Sequence, residues 1–162
     1  MAHTQKNLDY TVNCFIVKDN KVLLIYNKKY GMWLAPGGHI EPDENFEDTI
    51  YREIEEETGI RKGELTLIDP RKSIPEENIF SDDKGARSLV CPTFTDIHQA
   101  GEGHSHIAFR FFLTTNVDVK GSIDESVKSH RWLSERELDS SKYSLKKAVN
   151  FYAKYALKIV RN

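Results

Sequence analysis

Between residues 52 and 60 the chain reads Arg52-Glu53-Ile54-Glu55-Glu56-Glu57-Thr58-Gly59-Ile60, with four carboxylates in five consecutive positions. Carboxylates at that density either hold hard divalent cations and move protons, or form an ordinary solvated helix face. Helical geometry separates the two readings. Each residue advances by about 100° around the axis, so Phe46, Ile50 and Ile54 share an arc roughly 80° wide, and Glu53 and Glu57 fall within or beside it. Glu56 lies next to them, whereas Glu55 projects to the opposite side. Three acids therefore face where the core faces.

That arrangement is costly without a counter-charge. Like charges three or four residues apart repel by roughly 0.2–0.5 kcal/mol per pair, and anions near a helix C-terminus oppose its macrodipole by roughly 0.3–1 kcal/mol each. Arg52 is one guanidinium against three partly desolvated anions. A hard dication offsets them, and Mg²⁺ prefers carboxylate oxygens while sharing its shell with substrate phosphates. The cluster indicates phosphoryl or diphosphate chemistry. Pro36-Gly37-Gly38 precedes the helix, and glycines there allow the backbone to approach a metal or ligand closely.

The elements that position these residues follow from patterning. The spacing predicts a helix over 45–58, with Asn45 as N-cap, Glu47 and Asp48 in the first turn, and Gly59 to end it. Two apolar runs between Tyr10 and Asn27 flank Lys18-Asp19-Asn20-Lys21 and read as a β-hairpin. Short strands are expected at 32–35, at Leu65 to Ile68 and at His130–Leu133. Strand character between 69 and 103 is confined to Ser88–Ile97. Ile107, Phe109, Phe111 and Leu113 alternate as a half-buried strand does, with His104, His106, Ala108, Arg110 and Phe112 on its other face. Ser134–Leu138 reads as a capped turn, and a helix follows from about Ser144. Strands and helices are mixed, so the class is α/β, with a sheet covered on more than one side.

The 162 residues suit a single domain over 1–162, and 39% hydrophobic with 30% charged residues supports a folded core. With 23 basic against 25 acidic residues, the net charge of −2 removes the positive surface that a nucleic-acid polymer requires. A small-molecule ligand fits better. Cys14 and Cys91 both sit in apolar surroundings and read as buried free thiols of a reducing, cytoplasmic protein. Met1–Asp9 has no signal-peptide core, and no run approaches a membrane span.

From Gly38 to Ile60 the sequence is Gly38, five residues, Glu44, seven residues, Arg52-Glu53-Ile54, one residue, Glu56-Glu57, one residue, Gly59-Ile60. This resembles the Nudix box GX5EX7REUXEEXGU, U being aliphatic, at every specified position. The Trp33–Gly37 lead-in, the His104–Leu113 strand, Trp132-Leu133 and the C-terminal helix are also similar to MutT-like Nudix hydrolases. The resemblance implies a Nudix α/β/α sandwich with a mixed β-sheet. It also implies divalent-cation-dependent hydrolysis of a nucleoside diphosphate linked to a moiety X. On that basis Glu53, Glu56 and Glu57 bind Mg²⁺ (or Mn²⁺), Gly37 or Gly38 offers a backbone carbonyl, Arg52 orients Glu53, and Glu44 supports the loop and helix. A carboxylate takes the proton of the attacking water. Glu53 is the candidate within the box, and Glu125 and Glu102 are the candidates on distant loops.

A nucleoside or deoxynucleoside triphosphate pyrophosphohydrolase is placed first among substrates. ADP-ribose or nucleotide-sugar cleavage and a non-catalytic nucleotide sensor are the alternatives. Pro75 resembles a marker of the ADP-ribose-cleaving members. Gly38 and His39 stand where a phosphate would pass, and Trp33, Phe80, Phe94, Tyr26 and Tyr30 are candidates to stack a base. Exposure of His39 and core packing of the aromatics are the plain alternatives. His98, His104 and His106 admit a transition-metal site or the lining of a substrate pocket. A homodimer and a monomer are both open.

Overall fold

The computed structural model describes residues 8–71 and 88–161. Strands β1 (Leu8–Lys18) and β2 (Lys21–Asn27) form the expected hairpin. Asp19 and Asn20 both take positive φ, +50° and +58°, as a tight two-residue turn requires. Then come β3 (Met32–Leu34), α1 (Phe46–Thr58), a 3-10 turn (Lys62–Glu64), β4 (Leu65–Leu67), β5 (Phe94–Gly101), β6 (His104–Thr115), β7 (Val127–Ser134), α2 (Glu135–Leu138) and α3 (Lys147–Arg161).

Among the described residues, seven strands join one mixed sheet. Its centre is the parallel pair β1 and β6, in register from Leu8 opposite Ser105 to Val17 opposite Thr114. β2 gives one edge to β7 along Lys21–Asn27. Its other edge meets β1 only at Val22 and Lys21 and β3 at Ile25–Asn27. The hairpin therefore splays beyond its turn, and the segment after β3 fills the opening: Cys14 N–H donates to the Pro36 carbonyl at 2.7 Å, Val12 N–H to Gly38 at 2.9 Å, and Ile40 N–H to Tyr10 at 2.9 Å. The glycine loop is thus stitched to the central strand.

The sheet separates two cores. Val12, Cys14, Ile16, Leu23, Phe111 and Leu113 pack under α1 with Ile50, Ile54 and Ile60. Phe15, Val17, Val22, Leu24 and Phe112 pack on the opposite face with Ala153, Ala156 and Leu157 of α3. Burial on both faces explains why β1 reads as a near-continuous apolar run. This is an α/β/α sandwich with a mixed sheet, the architecture the resemblance implies.

Two boundaries and one burial differ from the sequence expectation. The strand expected at 88–97 lies at Phe94–Gly101, because its register is set by β6, from Phe94 opposite Arg110 to Gly101 opposite His104. Gly103, at φ +68°, closes the turn. The last helix starts at Lys147 rather than Ser144, whose φ of +45° is incompatible with a helix. Cys14 is buried, but Cys91 is only half-buried; both are free. Among the described residues no helix is long and apolar enough to cross a membrane.

Candidate active site

Helix α1 is fixed at both ends. The Asn45 side chain accepts from Glu47 N–H at 2.9 Å and Asp48 N–H at 3.4 Å, and Asp48 accepts in return from Asn45 N–H. At the other end Gly59 takes the left-handed conformation, φ +71°, and donates to Glu55. The next carbonyls are met by other segments. Lys120 N–H donates to Thr58 at 3.0 Å, and Ile123 N–H and the Ser122 hydroxyl donate to Glu56 at 2.8 and 3.0 Å. His130 Nε2 donates to the Glu57 carbonyl at 2.6 Å, which requires the Nε2–H tautomer. These donors satisfy the orphan carbonyls of the turn that bears the acids.

The two glycines are each required by a different contact. Gly37 has φ +145°, and a Cβ there would collide with the Val12 carbonyl. Its N–H donates to Glu57 Oε2 at 2.8 Å. At Gly38 a Cβ would overlap the Glu53 carboxylate. The Pro36 and Gly38 carbonyls accept from Cys14 and Val12 of β1, whereas the Gly37 carbonyl between them lies outside that ladder.

Arg52 is held in a fork by Glu44, with Nε to Oε1 at 2.5 Å and Nη2 to Oε2 at 2.8 Å. Its Nη1 donates to Glu53 Oε1 at 2.7 Å and reaches Glu56 at 3.4 Å, and Nη2 also donates to the His39 carbonyl. The guanidinium holds the Glu44 carboxyl down at about 2, while Arg52 itself is pushed further up by Glu44 and Glu53. Glu53 is raised because burial outweighs its pairing with Arg52. Glu57, only 3% exposed, is pushed up to about 8, first by burial and then by the charges of Glu53, Asp124 and Glu56, against the single opposing Gly37 amide. No ion pair reaches Glu57 among the described residues. Beneath them the buried Cys14 thiol is raised by burial and by the charges of Glu57 and Glu53, which makes it unreactive.

The donor set fits a hard dication. Three carboxylates share one negative field, the nearest arginine is already committed to Glu44 and Glu53, and a desolvated acid is left with one amide. Oxygen ligands of this kind suit Mg²⁺. Glu55, by contrast, is exposed, as the helical angles require.

The remaining candidates fall elsewhere. Glu125 is exposed, and its carbonyl accepts from Lys28 Nζ at 2.7 Å. The acid on that loop whose charge reaches Glu53 and Glu57 is its neighbour Asp124, half-buried and held by the Ser126 N–H and hydroxyl, both at 2.7 Å. Glu102 is exposed in the turn between β5 and β6. Trp33 packs edge-on against Tyr26 and Tyr143 at 5.4 and 5.5 Å, on the α3 side of the sheet. His39 is exposed, with its ring against His106. Pro75 and Phe80 lie outside the described residues. Asp124 and His130 were missed by sequence reasoning. Each reaches the site from a segment more than 60 residues beyond the box, with no spacing to mark it.

Fold and site together define a class: a sandwich whose helix carries an unneutralised carboxylate cluster under a glycine loop. The chain belongs to the NUDIX domain family, whose model matches residues 8–156. It is 32% identical to a NUDIX-family hydrolase from Clostridium perfringens whose structure superposes with a TM-score of 0.78, covering 94% of this chain and 97% of that one. The "Uncharacterized Nudix hydrolase YvcI" of Bacillus subtilis is 45% identical over 67 residues, 38% of this chain and 42% of that protein. An ADP-ribose pyrophosphatase of Methanocaldococcus jannaschii is 46% identical over 52 residues, 30% of this chain and 31% of that protein. The matches span less than half of these two curated relatives.

Proposed function

We propose that the protein is a divalent-cation-dependent hydrolase of phosphoanhydride bonds in a nucleoside diphosphate linked to a further moiety. The observation that carries this reading is Glu57: a buried carboxyl without an ion pair among the described residues, beside Glu53 and Glu56 and hydrogen-bonded to the glycine loop. Mg²⁺ (or Mn²⁺) would be held by Glu53, Glu56, Glu57 and the Gly37 carbonyl. When bound, the cation polarises the diphosphate and makes water a stronger acid.

The chain's own residues supply the rest. Glu44 locks Arg52, and Arg52 aims one oxygen of Glu53, which leaves the other free. Gly38, lacking a Cβ, keeps the space that Glu53 occupies, and Gly37 N–H fixes the rotamer of Glu57. Glu53 or Asp124 takes the proton of the attacking water; Asp124 replaces Glu125 as the loop acid on the strength of its orientation by Ser126. Preorganisation of this kind keeps the acceptor in place before substrate arrives.

For the substrate we favour a nucleoside or deoxynucleoside triphosphate, cleaved to the monophosphate and diphosphate. The similarity to the ADP-ribose pyrophosphatase supports ADP-ribose as the second reading. The deciding experiment measures phosphate or diphosphate release with Mg²⁺ from triphosphates, ADP-ribose, nucleotide sugars and dinucleoside polyphosphates, for the wild type and Glu57→Gln. Turnover of triphosphates that disappears in Glu57→Gln is expected. Binding without turnover across the whole panel would make the protein a sensor and overturn the proposal.

A further inference from the structure

On the face of the sheet opposite α1, four histidines and an aspartate gather at the open end of the central strands. Cross-strand register is the cause. Asp9 of β1 stands opposite His106 of β6, and His98 of β5 stands opposite His106 on its other side. His104 precedes His106 by two residues and so shares its face. His39 reaches the same place from the glycine loop, which is bridged to Thr11. The His106 ring is flanked by those of His39, His104 and His98 at 4.9, 5.0 and 5.5 Å.

We propose that Asp9, His39 and His106 bind a divalent transition ion of the Zn²⁺ class, at a site separate from the carboxylate cluster. One ligand atom from each of the three lies within 4.8 Å of the other two. His39 Nε2 and His106 Nε2 are 3.3 Å apart, and His39 Nε2 is 3.5 Å from Asp9 Oδ2. Adjacent ligands of a tetrahedral zinc ion, with bonds of about 2.0–2.1 Å, stand roughly 3.3–3.4 Å apart. Two imidazole nitrogens facing each other at that distance need a shared proton or a shared ion.

The surroundings favour the ion. His104 Nε2 lies 3.2 Å from Asp9 Oδ2 and can hold the carboxylate from outside, as outer partners of metal ligands do. The donor set of two imidazoles and one carboxylate suits Zn²⁺, Co²⁺ or Ni²⁺ rather than Mg²⁺. Asp9 makes the cluster a poor anion site. Three protein ligands leave a fourth position open to water or to an anionic group.

The test titrates the chelator-stripped chain with Zn²⁺ in excess Mg²⁺, in competition with a chromophoric chelator. One Zn²⁺ per chain is expected. His104→Ala should weaken binding by roughly 10–100-fold, the usual cost of losing an outer partner, and His106→Ala and His39→Gln by more. Glu57→Gln should bind Zn²⁺ here as the wild type does, which separates this site from the hydrolytic one. With Co²⁺, the wild type should show the intense visible band of a four-coordinate ion, and His106→Ala should lose it. Because His39 is exposed, His39→Gln remains informative even if circular dichroism shows His106→Ala to be misfolded. Equal Zn²⁺ affinity in the wild type, His106→Ala and His39→Gln overturns the proposal. So does loss of binding in Glu57→Gln alone.

Discussion

Replacing Glu57 by Gln should stabilise the metal-free protein, increasingly so as pH rises. A carboxyl at about 8 in the fold, against an ordinary glutamate value of 4.5, keeps a proton that the unfolded chain has already released. Between those values the folded state binds more protons, so wild-type stability falls as pH rises from 4.5 to 8 and levels off above. At about 1.4 kcal/mol per pH unit, the full effect is roughly 3–5 kcal/mol. Gln removes the titration and retains an oxygen to accept from Gly37 N–H. The variant should therefore exceed the wild type by about 3–5 kcal/mol at pH 9 in chelator and match it within about 1 kcal/mol at pH 5. Urea unfolding followed by tryptophan fluorescence measures this, provided the slope is unchanged between the two proteins. Millimolar Mg²⁺ should restore the wild type and barely affect the variant. A variant less stable than wild type at pH 9, or a difference that does not vary with pH, would refute the reasoning and make Glu57 a structural acid.

Gly38→Ala displaces the end of a flexible side chain rather than backbone, so stability should drop by less than about 1 kcal/mol while kcat falls about 100-fold, because Glu53 loses its place; unchanged kcat would contradict the packing role of Gly38. Glu44→Gln breaks the Arg52 fork and should cost about 1–2 kcal/mol at pH 7, discounted for partial exposure. Glu44's contribution is present above 4.5 and lost as pH falls toward 2, so the two proteins should converge in acid unfolding; a gap that widens in acid would reject the fork as its source. Asp124→Asn should lower kcat by about 100-fold or more with little change in KM if Asp124 takes the water's proton. Equal kcat would return that role to Glu53.

The box helix was legible because its determinants are local: Asn45 and Asp48 exchange hydrogen bonds within one turn, Gly59 ends the helix in a conformation other residues avoid, and the inward arc of Glu53 and Glu57 follows from helical rotation alone. The sandwich followed from patterning and from the resemblance carried by the box. What escaped was set by distance along the chain. The strand expected at 88–97 moved to 94–101 because pairing with β6, not its own composition, decides its register. Asp124, rather than Glu125, faces the acids because the loop is hung on the carbonyls of Glu56 and Thr58, an attachment that no sequence pattern encodes. The partners of His106 come from β1, β5 and the glycine loop and meet only once the sheet is formed.

The opening between β1 and β2 has a dynamic consequence. Since Pro36 and Gly38 occupy ladder positions on β1, the segment behind the carboxylates of Glu53 and Glu57 cannot breathe apart from the middle of the sheet. The amides of Val12 and Cys14 should exchange with deuterated solvent only in the rarest openings of the molecule, alongside those of β6. Any motion that turnover demands must then fall to segments outside this stitched frame, and evolution can reshape those segments without loosening the carboxylate cluster.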